Sequence, residues 1–305
     1  MRSNYLPSNH FEYIDCPVCE SDKFKTYINV KYSDLKQKSN LDYSCIGINQ
    51  SSVLTTVRCE KCSFVFTNPR PKKEAEKLIY NEAKQKMYKT DEYSNVNKMI
   101  IKRRLGYSLT LLSLLDTMKV KEQITVFDYG SGYGHSLILA KSLGHQGYGI
   151  EIDLNRIKIC QLLGLNVDIK ENFKKNYGEI KADLILMHSV IEHVIDLNAT
   201  LQYVDGISKS GSFLHVNGVH PRLINIEKKR GLFVKAHFIE HINYFYIKTL
   251  DLFLSKYGYY PVKNRSRTKN ISSINQIIKL FLQLILPTGL VGYFTGYFDR
   301  LYEKK

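Results

Sequence analysis

The chain has 305 residues, of which 44% are hydrophobic and 24% charged, and a formal net charge of +15. That length and apolar content are ordinary for a globular protein and suit one large domain plus a small one. No basic-then-apolar leader opens the sequence and no apolar run reaches the ~18 residues of a spanning helix, so an exported or membrane-spanning class is not expected. A cytoplasmic, reducing setting without disulfides follows as an expectation.

The charge is uneven. Residues 1–89 carry 15 basic and 10 acidic groups, and residues 90–220 carry 14 of each. Residues 221–305 carry 15 basic against 5 acidic, a balance of +10. An excess confined to the last third can attract phosphorylated substrates, anionic lipid or nucleic acid, or simply keep the surface solvated.

In chain order, the first element is a cysteine module, residues 1–71. Cys16-Pro17-Val18-Cys19 and Cys59-Glu60-Lys61-Cys62 are two Cys-x-x-Cys pairs separated by 39 residues. Each pair forms a tight knuckle that presents two sulfurs, and together they read as a closed, structural zinc site. The competing reading is four free thiols. Lys23–Val30 and Val53–Arg58 fit strands of a zinc ribbon, while Cys45 and Cys160 lack paired spacing and read as ordinary buried thiols. A helical linker over 72–120 follows, with helices predicted at Lys72–Tyr80 and Val96–Met118.

The most informative stretch is Ile124–Gly134. An apolar, β-branched strand ends in Asp128-Tyr129-Gly130-Ser131-Gly132-Tyr133-Gly134, and a helical run over Ser136–Leu143 follows. Glycines permit a tight turn and close ligand approach, and the next helix N-terminus favours an anion such as a carboxylate. Asp128 can accept from an ammonium or hydroxyl. A second apolar strand, Gly147–Ile152, carries Glu151 about twenty residues past the turn, where a carboxylate can take both ribose hydroxyls.

Asp128-x-Gly130-x-Gly132-x-Gly134 followed by Gly149-Ile150-Glu151 resembles the S-adenosylmethionine site of class I methyltransferases. The resemblance spans roughly residues 100–265, within a domain placed at 121–265. It implies an α/β fold with a Rossmann-like methyltransferase sheet, the methionine part of the cofactor over Gly130 and Gly132, and ribose on Glu151. The run Cys62–Pro71 resembles the linker that follows the zinc knuckle in relatives of the deoxysugar C-methyltransferases.

Beyond the cofactor motif, helix 154–163 and strand 166–169 are predicted, with Glu171, Asn172 and Phe173 where the family contacts adenine. Ala182–His188 is a strong strand whose carboxyl end faces the ligand crevice, bringing His188, Ser189, Glu192 and His193 near the reacting methyl. Relatives that bind a divalent metal at this point have a further Glu three residues before the Glu-His pair. Ser189 stands there, so Glu192 and His193 are expected to pack or orient. Ser212–Asn217 is the next strand, and His220 follows in a turn near the crevice; Arg222–Ala236 reads as a basic, irregular insertion.

The block Glu240-His241-Ile242-Asn243-Tyr244-Phe245 resembles the Glu-His-x-x-Tyr-Phe segment of zinc-ribbon sugar methyltransferases. There the matching histidine is the general base, which assigns that role to His241, with His193 and His220 as competitors; a packing role is the alternative. Phe238 replaces a tyrosine of the C-methylating members, so O-methylation fits as well as C-methylation. The tail, residues 266–305, is apolar and amphipathic behind Arg265, Arg267 and Lys269. That pattern suits peripheral association with a membrane surface, or a helix that covers the core. The reading is an S-adenosylmethionine-dependent methyltransferase with structural zinc, acting on a saccharide or nucleotide-linked sugar in surface polysaccharide assembly. The alternative is a ribosomal RNA methyltransferase, against which the zinc module is only mildly basic and no Arg-rich arm is present.

Overall fold

The computed structural model describes residues 9–35, 43–79, 106–231, 233, 236, 238–262 and 297–305. The amino-terminal module contributes β1 (Phe11–Glu12), β2 (Phe24–Lys31), β3 (Val53–Cys59), β4 (Val65–Thr67) and β5 (Arg70–Pro71). Strands β2, β3 and β4 run antiparallel, and the two cysteine pairs meet where β2 begins and β3 ends. The short helix α1 (Lys73–Leu78) follows.

Helix α2, described over 106–117, leads into the central unit. Its elements alternate: β6 (Thr125–Tyr129), α3 (His135–Ser142), β7 (Gln146–Ile150), α4 (Leu154–Leu162), β8 (Asn166–Asp168), α5 (Lys170–Tyr177), β9 (Ala182–His188), α6 (Leu197–Gly206) and β10 (Ser208–Val219). After α7 (Arg222–Lys229) come β11 (Asn243–Tyr244), α8 (Ile247–Ser255), β12 (Tyr259–Pro261) and β13 (Tyr297–Lys304). Among the described residues the central sheet has seven strands in the order β12-β13-β10-β9-β6-β7-β8. Strands β6 to β10 are mutually parallel, as βαβ connections dictate, and β13 enters antiparallel between β10 and β12.

The sequence of β9 follows from its place at the middle. Leu184, Ile185, Leu186 and Met187 are all fully buried, because helices cover both faces. Leu184 and Leu186 pack with Leu111, Leu114 and Leu115 of α2. Ile185 and Met187 pack with Leu201 and Val204 of α6 and with Phe253 of α8. Truncating such a leucine to alanine costs roughly 2–5 kcal/mol.

Four sequence expectations change. First, the sheet of the cysteine module draws in a distant segment: β11 pairs with β4, so the Glu240–Phe245 block, read only as the bearer of a candidate base, completes it. Second, residues 189–194, which resemble the family's helix after this strand, form a turn. Third, the basic insertion begins with a regular helix, α7, whose Leu223 and Ile224 are buried. Fourth, the last part of the expected amphipathic tail is β13, a strand of the central sheet. Residues 263–296, which include Arg265 and most of the membrane-surface pattern, lie outside the described residues, as do Tyr80, Tyr88 and Tyr93, which the sequence offers either as a lining of the substrate mouth or as surface tyrosines. No described helix is long and apolar enough to cross a membrane.

Candidate cofactor and acceptor site

The glycine turn joins β6 to α3 at the carboxyl edge of the parallel strands. The amides of Gly130 and Ser131 donate to the Ile150 carbonyl at 2.9 and 3.0 Å, tying the turn to the end of β7. The three glycines differ in what they do. A Cβ on Gly130 would meet Val190 Cγ2 at 2.6 Å, and one on Gly134 would meet Leu165 Cδ1 at 2.4 Å; both are packing positions. At Gly132, with φ +57°, a Cβ would have nothing within 4 Å, so this is the glycine with open space above it.

Two carboxylates border that space. Glu151 folds onto the turn: its Oε2 accepts the Gly132 amide at 2.7 Å, and its Oε1 accepts those of Ile152 and Asp153 at 2.8 and 3.1 Å. Asp128 is 4% exposed, and burial together with the nearby Glu151 charge pushes its pKa up to about 7, against a smaller opposing effect of the Ser136 hydroxyl. A buried acid beside a second acid is short of positive charge, which a cationic ligand supplies. Thus Asp128, Gly130, Gly132, Gly134 and Glu151 all come together.

Of the residues read as touching adenine, Phe173 is excluded: it is 2% exposed and packs edge-on against Phe127 at 5.3 Å. Asp168 ends β8 beside Glu151: its carbonyl accepts the Glu151 amide at 3.1 Å, and its carboxylate accepts from the Ile169 amide and the Asn176 side chain. The strand itself is legible in the sequence at 166–169, but a lone aspartate at its end belongs to no motif that marks it.

The histidines fall into three separate settings. His188 ends β9, and its Nε2 lies 2.6 Å from His215 Nδ1; His215 in turn reaches Asp299 Oδ1 of β13 through its Nε2. The Tyr107 ring stacks on His188 at 5.6 Å and 8°. His215 carries no sequence signal, being one polar residue in an apolar strand, and Asp299 lies on a strand whose charges disguise it.

His220 stands apart. It is 5% exposed, its Nδ1 accepts the Arg222 amide at 3.1 Å, and Tyr246 packs against its ring. Burial, reinforced by Arg222, lowers its pKa to about 4, which makes it a poor proton acceptor at neutral pH.

The third setting joins His193 and His241, whose rings lie 4.6 Å apart at 68°, with Glu192. His193 Nδ1 faces the Glu240 carbonyl at 3.1 Å. Glu192 is 2% exposed, its Oε2 has no hydrogen-bond partner, and burial raises its pKa to about 8. The loop and turn are zipped together: the Ile242 and Asn243 amides donate to the Glu192 carbonyl, and Asn243 Nδ2 donates to the Ile191 and Val194 carbonyls. Because Val190 abuts Gly130, this cluster adjoins the cofactor turn.

At the opposite end of the module, the sulfurs of Cys16 and Cys62, and of Cys19 and Cys59, are 3.5 Å apart, and all four lie within 4.8 Å of one another. Four sulfurs at about 2.3 Å from one tetrahedral ion stand roughly 3.8 Å apart, so the set fits zinc. Backbone amides of Val18, Cys19, Ser21 and Phe64 lie near these sulfurs and favour their thiolate forms, as a metal knuckle needs.

A sequence profile described as a methyltransferase domain matches residues 100–264. No curated protein matches the chain at a significant level. Among solved structures, it is similar to a SAM-dependent methyltransferase from Archaeoglobus fulgidus, at 17% identity and TM-score 0.43, over 66% of this chain and 94% of that one. It is also similar to the magnesium protoporphyrin IX methyltransferase of Synechocystis PCC 6803, at 14% identity and TM-score 0.49, over 77% and 100%. A third is a plantazolicin methyltransferase in complex with SAH, at 16% identity and TM-score 0.46, over 76% and 94%. At this distance none of them informs on the substrate.

Proposed function

The chain belongs to the methyltransferase-domain family and is an S-adenosylmethionine-dependent methyltransferase, and we propose that it methylates a hydroxyl of a saccharide or nucleotide-linked sugar in surface polysaccharide assembly. The observation that carries the cofactor assignment is the pair Asp128 and Glu151 around the open space at Gly132. In this reading Asp128 accepts the cofactor's ammonium, the glycine turn borders its methionine part, and Glu151 takes the ribose hydroxyls in place of some of its backbone donors. The cofactor supplies an electrophilic methyl on a sulfonium. The protein supplies proximity, orientation and a route for the acceptor's proton.

The acceptor assignment is supported by the Glu240–Phe245 block, which pairs with the cysteine module and carries His241 to His193. It is supported also by the +10 balance of residues 221–305, which suits an acceptor bearing phosphate. The four cysteines are proposed to hold one structural zinc. RNA as acceptor is the second reading, favoured only by the overall charge of +15.

The experiment is methyl transfer from radiolabelled S-adenosylmethionine to a panel of nucleotide-linked sugars and to ribosomal RNA. Label in the sugar fraction is the expected result. Label in RNA, with binding that weakens steeply as salt rises, would reverse the assignment.

A further inference from the structure

We infer that Glu192, His193 and His241 form a second metal site, separate from the four cysteines, that takes a divalent first-row transition ion such as Mn²⁺ or Fe²⁺. One ligand atom from each residue lies within 4.8 Å of the others. Two metal–ligand bonds of roughly 2.1 Å reach at most about 4.2 Å, so small side-chain rotations close the set on one ion. A carboxylate with two imidazoles is a donor set for such ions, and it leaves coordination positions open.

Three observations separate this cluster from an ordinary buried polar group. Glu192 is 2% exposed and its Oε2 has no hydrogen-bond partner, a costly arrangement unless a cation sits against it. His193 Nδ1 faces a carbonyl, which can only accept; Nδ1 therefore carries the proton and Nε2 keeps its lone pair. That is the tautomer of a metal-bound histidine supported by its other nitrogen. Finally, the turn and the loop that supply the donors are fixed to each other by four hydrogen bonds from Ile242 and Asn243, so the set is built in advance. Ser189 supplies no carboxylate three residues before Glu192. The third donor comes instead from His241, far along the chain.

The inference deepens the proposed methyl transfer and rests on it for its purpose. An ion held there would make an acceptor hydroxyl at an open position more acidic; its proton would pass to solvent water, the oxygen would form the new O–CH₃ bond as the S–CH₃ bond breaks, and sulfur would keep that electron pair. His241 is then a ligand rather than the proton acceptor.

The test needs no acceptor and no cofactor. Full-length protein with its cysteine site filled is titrated with MnCl₂ and followed by calorimetry and pulsed electron paramagnetic resonance. One Mn²⁺ per chain with couplings to two imidazole nitrogens is expected. Glu192→Gln and His241→Ala should each weaken binding by at least about tenfold, and His241→Ala should leave one nitrogen coupling. Mn²⁺ without nitrogen coupling, or with unchanged affinity in both variants, overturns the site. Failure to bind S-adenosylmethionine, measured separately, would instead overturn the methyltransferase reading.

Discussion

His188 Nε2 lies 2.6 Å from His215 Nδ1, and the chain of contacts continues from His215 Nε2 to Asp299. The order fixes the tautomers. Asp299 accepts from His215 Nε2–H, so a neutral His215 accepts at Nδ1 from His188 Nε2–H, and the lone pair of His188 rests on Nδ1. His215 is fully buried. Asp299→Ala therefore leaves a buried donor without its acceptor and should cost about 1–3 kcal/mol in denaturant unfolding. Low-field proton NMR should show the His215–Asp299 proton in the native protein and lose it in the variant. An unchanged spectrum would mean that the two groups are not bonded in solution.

Asp128 sets a pH dependence. Its folded pKa, about 7, lies above the ~3.9 of an unfolded aspartate. Between those values the folded state holds more protons, so this group's contribution to the stability of the ligand-free protein falls as pH rises, and is flat above about 7. Cofactor binding has the opposite sense. An ammonium favours the ionised carboxylate, so binding releases a proton and tightens as pH rises from about 6 toward 7. Calorimetry at a pH just below that value, in buffers of different ionisation enthalpy, should show the release. Asp128→Asn should abolish it and weaken binding. Proton uptake on binding would place the ammonium elsewhere.

Much of this site is legible in the sequence because its signals are local. The run from Asp128 to Gly134 and the acid at Glu151 sit on consecutive elements, and the two Cys-x-x-Cys pairs announce themselves by spacing. The rest depends on chain returning from far away. The pairing of β11 with β4 is two residues long and reads as loop; only the folded sheet shows that Asn243–Tyr244 belongs to the cysteine module. Strand β13 carries Asp299, Arg300, Glu303 and Lys304, and that charge hides its pairing with β10. Phe173 is ambiguous from sequence because an aromatic after a strand suits either a ligand or the core; here Phe127 and Tyr177 claim it.

The glycines separate turn packing from ligand contact. At Gly132 the strain falls on a positive φ, +57°, and the added side chain enters the open space, so Gly132→Val should abolish cofactor binding with modest loss of stability. Gly130→Ala should instead displace Val190 and the turn that carries Glu192 and His193. Glu151→Ala removes a charged acceptor, and a loss of about 1.5–3 kcal/mol, or ten- to hundredfold in affinity, is expected. Calorimetry with S-adenosylmethionine checks all three. Equal affinity in wild type and Glu151→Ala would remove the ribose role from that residue.

The cysteine cluster should act at a distance on the acceptor side. Its knuckles are held by the first turn of α8 and by the residue after its last: Thr249 Oγ1 donates to the Cys62 carbonyl at 3.1 Å, and Lys256 Nζ to that of Val18 at 2.6 Å. Its sheet is extended by β11, which begins two residues after His241. The buried side chains of Cys16, Cys59, Phe64 and Phe66 share one core with Phe245 and Phe253. Loss of zinc would leave sulfurs 3.5 Å apart with nothing to neutralise their thiolate forms, and the knuckles would open. Metal analysis should find zinc in the native protein, lost on Cys59→Ser together with stability on the order of several kcal/mol. Hydrogen exchange should then rise at β3, β4 and β11 while β6 and β7 stay protected. Such a pattern would detach the His241 loop without touching the Asp128–Glu151 pair, so S-adenosylmethionine binding should survive when methyl transfer does not. Native protein free of zinc would end this prediction. Exchange rising equally across β6 and β7 would show that the cluster supports the whole fold rather than the acceptor side.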